Sequence, residues 1–111
     1  MKQRSSQDYA NNLAVQLRKG YLAFCVLKIC SSPHYTSEII AALKDAELVV
    51  VEGTIYPLLA RLLRDGLLVH EWRESAQGPP RKYYHRTEYG DEVIALLSDN
   101  ITALSKALAK L

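Results

Sequence analysis

EGTIYPLLARLLRDGLL, Glu52 to Leu68, decides how the rest of the chain is read. Ile55, Leu58, Leu59, Leu62 and Leu63 fall at i, i+3, i+4, i+7 and i+8, the core-facing stripe of an amphipathic helix. The other side carries Thr54, Tyr56, Pro57, Arg61 and Arg64. Proline has no N–H to donate, which is harmless only in the first helical turn, where that group has no intrahelical partner. The helix is therefore expected to start near Gly53 or Thr54, with Gly66 as its C-terminal cap. A glycine, a threonine and a tyrosine thus stand at the front of a helix, with two arginines on its outer face, where a core has no use for them.

Upstream of this helix, Leu48 to Val51 is a β-branched run that reads as a short linking strand. Before it, Ile39, Ile40 and Leu43 mark the buried face of a shorter helix ending near Glu47, with Thr36 or Ser37 as its cap. Earlier still, Tyr9, Leu13, Leu17, Tyr21 and Phe24 recur at spacings of four and three, predicting a long helix over about Asp8 to Cys30. Gly20 weakens that run and allows a bend, and Ser31-Ser32-Pro33 ends it. The polar start, MKQRSSQ, is expected to fray.

Downstream, LLVHEWRE and RKYYHRT are β-patterned runs on either side of SAQGPP, which reads as a hairpin. Leu68, His70 and Trp72 share a strand face, so Trp72 is expected to anchor the hairpin to the core. Thr87 then caps a last helix, with Glu88 in its first turn. Ile94, Leu97, Ile101, Leu104, Leu108 and Leu111 recur at alternating spacings of three and four, a heptad seam.

Two short helices joined by a tight segment and followed by a hairpin make a winged helix-turn-helix, and the hairpin is the wing. The fold expected is mainly α with a small β-hairpin, extended by a long C-terminal helix. In such a motif the second helix enters the DNA major groove by its N-terminal end. Gly53 and Thr54 are small enough for close approach. Tyr56 and Arg61 can bond phosphate oxygens, and Arg64 lies on the same outer face. In the wing, Arg81 and Lys82 sit beside a tip containing Gly78, with Arg73 and Arg86 on the flanking strands, as in basic wings that read minor-groove shape.

The bulk numbers restrict the alternatives. The chain has 111 residues, 49% of them hydrophobic, a net charge of +2 and a pI near 8.6. This fits one domain with a small core, and the charge is too weak to imply nucleic acid without its local distribution. Cys25 and Cys30, five apart on a helix, point to different faces and read as small buried hydrophobes of a reducing compartment. His34, His70 and His85 are scattered; there is no zinc-site spacing, nucleophile elbow or glycine-rich phosphate loop, so neither catalysis nor a cofactor is expected. Tyr21 to Cys30 is apolar but shorter than the roughly 20 residues of a membrane span.

EGTIYPLLARLLRDGLL, followed by GPPRKYYHRTEYG at Gly78 to Gly90 and preceded by RKGYLAFCVL at Arg18 to Leu27, resembles the PadR-like transcriptional regulators. The likeness covers almost the whole chain, and its length matches the short-form branch. It implies a cytoplasmic homodimer that binds a pseudo-palindromic operator, as a repressor relieved by a small-molecule effector, with an aromatic compound as a candidate. It further implies a DNA-binding unit over residues 1–86, using Ser37, Gly53, Thr54, Tyr56, Arg61, Arg64, Gly78, Arg81 and Lys82. Dimerisation is expected through the first helix (Leu13, Leu17) and the helix of residues 87–111 (Ile94, Leu97, Ile101, Leu104, Leu108). The chain departs from the family at Thr36-Ser37-Glu38-Ile39, where relatives often carry a glycine–tyrosine pair before Glu-Ile, so any contact through that tyrosine does not transfer. The competing reading is a winged protein-interaction module without DNA binding.

Overall fold

The computed structural model describes residues 3–111; the fraying expected at Met1 and Lys2 lies outside them. The elements run α1 (Ser6–Ile29), β1 (His34–Tyr35), α2 (Thr36–Asp45), α3 (Glu52–Arg64), β2 (Leu68–Ser75), β3 (Gly78–Arg86) and α4 (Glu88–Ala109). The strands form one antiparallel sheet in the order β1-β3-β2.

The helices α1 to α3 pack their apolar stripes into one core with Leu68 and Tyr84 from the sheet. Val26 and Leu27 of α1, Ile39 and Leu43 of α2, and Ile55 and Leu59 of α3 are its most enclosed residues. Only the C-terminal part of α1 joins this core; Tyr9, Leu13 and Leu17 stand on its exposed N-terminal half. The helix starts earlier than expected, because the Ser5 hydroxyl accepts the Asp8 N–H (3.1 Å) and fixes its first turn. It runs unbroken through Gly20.

Three local expectations are corrected. Leu48–Val51 is not a strand; it crosses from α2 to α3 with Val49 and Val51 exposed, and the third strand is instead His34–Tyr35, paired with Tyr83 and Tyr84. A two-residue strand leaves no periodic trace, and the pairing is dictated by the partner strand. Thr36 and Ser37 are the first two residues of α2, not its cap; Tyr35 holds the cap position, and its N–H is met by the Glu38 carboxylate (3.1 Å). Finally, α3 begins at Glu52, so Pro57 lies in its second turn, where its missing N–H leaves the Gly53 carbonyl without an intrahelical donor.

The ends of α2 and α3 share one device. After α3, Gly66 (φ 80°) donates to Leu63 O (3.1 Å) and Leu67 to Leu62 O (2.9 Å), a Schellman cap. After α2, Glu47 takes the same left-handed conformation (φ 63°), donating to Lys44 O while Leu48 donates to Leu43 O. A side chain in that conformation costs about 1 kcal/mol relative to glycine.

The joint between the winged unit and α4 is made of hydrogen bonds. Arg86 donates its backbone N–H to Cys30 O (2.8 Å) and its Nη1 to Leu27 O (3.1 Å), while its Nε pairs with Asp91 (2.8 Å). Thr87 caps α4 as expected, accepting the Gly90 N–H (3.0 Å) and donating to Gly66 O (2.6 Å). Gly90 is buried there, and a Cβ on it would overlap the Leu67 carbonyl oxygen.

Candidate nucleic-acid interface

The outer face of α3 is open from end to end: Gly53, Thr54, Tyr56, Pro57, Arg61 and Arg64 are all exposed. Nothing lies within 4 Å of a Cβ built on Gly53, and its backbone is not left-handed. Neither packing nor conformation therefore requires a glycine at this position. The Thr54 hydroxyl donates to Val51 O (2.7 Å), which leaves its oxygen free to accept.

At about 100° per residue, Tyr56 and Arg61 are roughly 140° apart around α3. The predicted contacts therefore divide between two flanks. Gly53, Thr54, Pro57, Arg61 and Arg64 line a groove of about 640 Å³ against α1, whose floor includes Leu22 and Leu58. Arg18 and Lys19 of α1 complete its rim. These two cations were not among the residues selected from sequence; they fall between the apolar positions of α1, where charge reads as solvated surface. Arg64 is paired with Asp65 (3.3 Å), whereas no carboxylate among the described residues bridges Arg18, Lys19 or Arg61. Tyr56 stands apart on the other flank, 59% exposed.

A second basic surface joins the start of α2 to the wing. Tyr35, Thr36, Ser37, Arg81 and Lys82 surround a shallow depression of about 360 Å³. The first N–H groups of α2 have no partner in the helix; the Glu38 carboxylate already meets the Tyr35 N–H at this end, and Arg81 and Lys82 add positive charge beside it. Arg81 lies over the Tyr35 ring (4.5 Å) and Lys82 over the Tyr84 ring (5.5 Å). These contacts hold the side chains by their cationic heads without neutralising them. Tyr35 in turn meets Tyr83 edge-on (5.3 Å), and Arg73 covers Tyr83 from the β2 side (4.7 Å).

The remaining wing residues take different parts. Arg73 is paired with Glu71 (2.7 Å), and Arg86 belongs to the α4 joint. Gly78 has φ 147°, which a side chain rarely adopts, so the hairpin tip requires glycine there. Trp72 does not anchor the wing: it is 64% exposed, touching His70 edge-on at 6.5 Å. β2 leaves the core immediately after Leu68, so the face shared by Leu68, His70 and Trp72 extends beyond the helices that would have covered it.

Residues 26–96 match the model of the PadR-like transcriptional regulator family. The chain belongs to that family. Its PadR-like relatives of known structure include a transcription factor from Bacteroides fragilis, 47% identical, covering 87% of this chain and 95% of that one with a TM-score of 0.74. A PadR family regulator from Eggerthella lenta is 31% identical over 94% of this chain and 92% of its own, with a TM-score of 0.83. A PadR-like regulator from Bacillus cereus is 34% identical over 86% and 94%, with a TM-score of 0.75. No curated protein matches the chain. The PadR-like assignment makes it a winged-helix, DNA-binding transcriptional regulator and not an enzyme.

Cys30 is fully enclosed, and burial pushes its thiol up to about 12; Cys25 is raised by burial and lowered slightly by Lys28. No group of three or more His, Cys, Asp or Glu among the described residues could hold a metal. No described helix is long and apolar enough to cross a membrane.

Proposed function

We propose that this PadR-like chain acts as a homodimer on a pseudo-palindromic operator, as a repressor released by a small-molecule effector. The observation that carries the reading is the pair of cationic surfaces flanking the helix-turn-helix. Arg61 with Arg18 and Lys19 lies on one side of α3, and Arg81 and Lys82 lie beside the start of α2. Phosphates on the two edges of a major groove require cations in two such places, and base edges between them meet Gly53, Thr54 and Tyr56. Residues 1–86 form the DNA-binding unit in this reading, and residues 87–111 the dimerisation helix.

Homodimerisation is supported by apolar surface that one copy leaves uncovered. Leu13 and Leu17 on α1, and Ile101, Leu104 and Leu108 on α4, are exposed along two helices that extend past the core, while Ile94 and Leu97 are half-buried at the root of α4. The radius of gyration is 16.6 Å, against roughly 13 Å for a compact chain of this size. Pairing two copies along these helices covers the stripe that a soluble monomer would otherwise leave in water. The repressor role and the effector follow the resemblance to the family, and Tyr9, Tyr21 and Phe24 are the ring-bearing residues that α1 carries along the same stripe as Leu13 and Leu17.

The test is a duplex selected by the protein from a random library, footprinted at moderate salt. Two protected half-sites about one helical turn, ~34 Å, apart and related by a dyad are expected, with two chains per duplex in sedimentation. A single protected half-site or one chain per duplex overturns the dimeric reading.

A further inference from the structure

The wing carries a large apolar side chain that the fold does not use. Trp72 is the only tryptophan in the chain and lies in the middle of β2, four residues from the Ala76-Gln77 turn, with most of its surface in water. Its cross-strand partner is Lys82, so the indole and the lysine stand side by side on one face of the hairpin. His70 contacts the indole edge-on from the same face. The hairpin as a whole is basic: Arg73, Arg81, Lys82 and Arg86 against Glu71 and Glu74 give it +2, equal to the formal charge of the entire chain.

We propose that Trp72 is a DNA-contacting residue of the wing, its indole packing on the deoxyribose wall of the minor groove while Lys82 beside it meets the phosphate. The proposal rests on the DNA-binding reading given above and adds to it an apolar contact. The chemistry fits a duplex better than a second protein. The sugar edges of a minor groove are apolar strips bordered by phosphates, and a tryptophan with a lysine beside it complements that pattern. An apolar protein patch would instead call for exposed apolar neighbours, and the exposed or half-exposed residues beside Trp72 on its own face are His70 and Lys82. Tryptophan supplies a large rigid surface at little entropic cost, which is why it is enriched where a surface is to be covered by a partner.

Because Trp72 is the only tryptophan, its emission reports on this one place. The experiment titrates the dimeric protein with a duplex selected from a random library, following tryptophan emission and, separately, the anisotropy of a labelled duplex. The expected result is a quench and blue shift that saturate together with the anisotropy. Trp72→Leu should weaken binding by roughly five- to tenfold at unchanged melting temperature, and Trp72→Phe should recover most of it. Binding by anisotropy with unaltered emission, or a Trp72→Leu variant of wild-type affinity, overturns the proposal and leaves the DNA-binding reading standing. An emission shift that follows protein concentration without DNA places the indole between copies of this chain and also overturns it. Absence of binding by either signal removes the parent reading as well.

Discussion

Replacing both Arg81 and Lys82 with alanine tests the wing at its most specific point. Each stands free of acidic partners among the described residues, held over a tyrosine ring beside the start of α2. If each neutralises one phosphate, the slope of log affinity against log salt should fall by about 0.9 per side chain, or roughly 1.8 for the pair. Between 50 and 200 mM salt, wild type should then lose about tenfold more affinity than the variant. The loss should be alike on specific and unrelated duplexes, since phosphate contacts carry no sequence. Removing the two exposed cation–ring contacts costs stability too, about 0.5–1 kcal/mol each, so melting temperature should drop by several degrees. Arg73→Ala is the internal control, because Glu71 already neutralises Arg73 at 2.7 Å; its slope should stay near wild type. Fluorescence anisotropy across a salt series measures all three proteins. An unchanged slope in the double variant, or an equal flattening by Arg73→Ala, would refute the assignment of the depression as a phosphate site.

Four other changes have defined outcomes. Leu104→Glu puts a charge on the exposed α4 stripe and should give monomer or aggregate without operator binding; a variant that remains dimeric in sedimentation removes α4 from the interface. Tyr56→Phe should cost about 0.5–1.5 kcal/mol of operator affinity with no change in melting temperature, and a parallel loss of both would show that the hydroxyl serves the fold. Gly90→Ala drives a methyl into the Leu67 carbonyl and should destabilise by about 1–3 kcal/mol; a wild-type melting curve would mean that the α4 joint gives way freely. Cys30, its thiol pushed up to about 12 from 9.0 by burial, should stay unreactive toward thiol reagents until the chain unfolds. The raised folded value also means that its contribution to stability is intact below pH 9 and declines as pH rises from 9 toward 12, because only the unfolded thiol ionises there; a flat alkaline limb in Cys30→Ala and wild type alike would contradict this.

The helices were legible because each carries a long apolar stripe, and the Leu-rich register of α3 with Gly66 behind it defined the centre of the fold. The winged topology followed from the order of elements. What the sequence concealed was decided by neighbours. β1 exists only because Tyr83 and Tyr84 offer a strand to His34 and Tyr35. Alternation placed Trp72 on the same face as Leu68 but could not show where the helices beneath that face end. The α3 and wing positions expected to meet DNA, Gly53, Thr54, Tyr56, Arg61, Arg64, Gly78 and Arg81, are exposed, and Lys82 is half-buried. Arg18 and Lys19 were missed because only tertiary packing sets α1 beside Arg61 and Arg64.

The bonded joint at Arg86 and Thr87 has a mechanical meaning. It fastens α4 at once to the end of α1, to the α3–β2 turn and to β3, so a movement of α4 would carry the winged unit with it. With 22 residues, α4 is about 33 Å long, and it works as a lever with the joint at one end. A rotation of about 5° where two such levers meet would displace the far end by roughly 3 Å over that length. That is a large fraction of one base-pair step. In the proposed homodimer, small rearrangements along the seam between copies would therefore be delivered as a change in the distance between the two α3 helices.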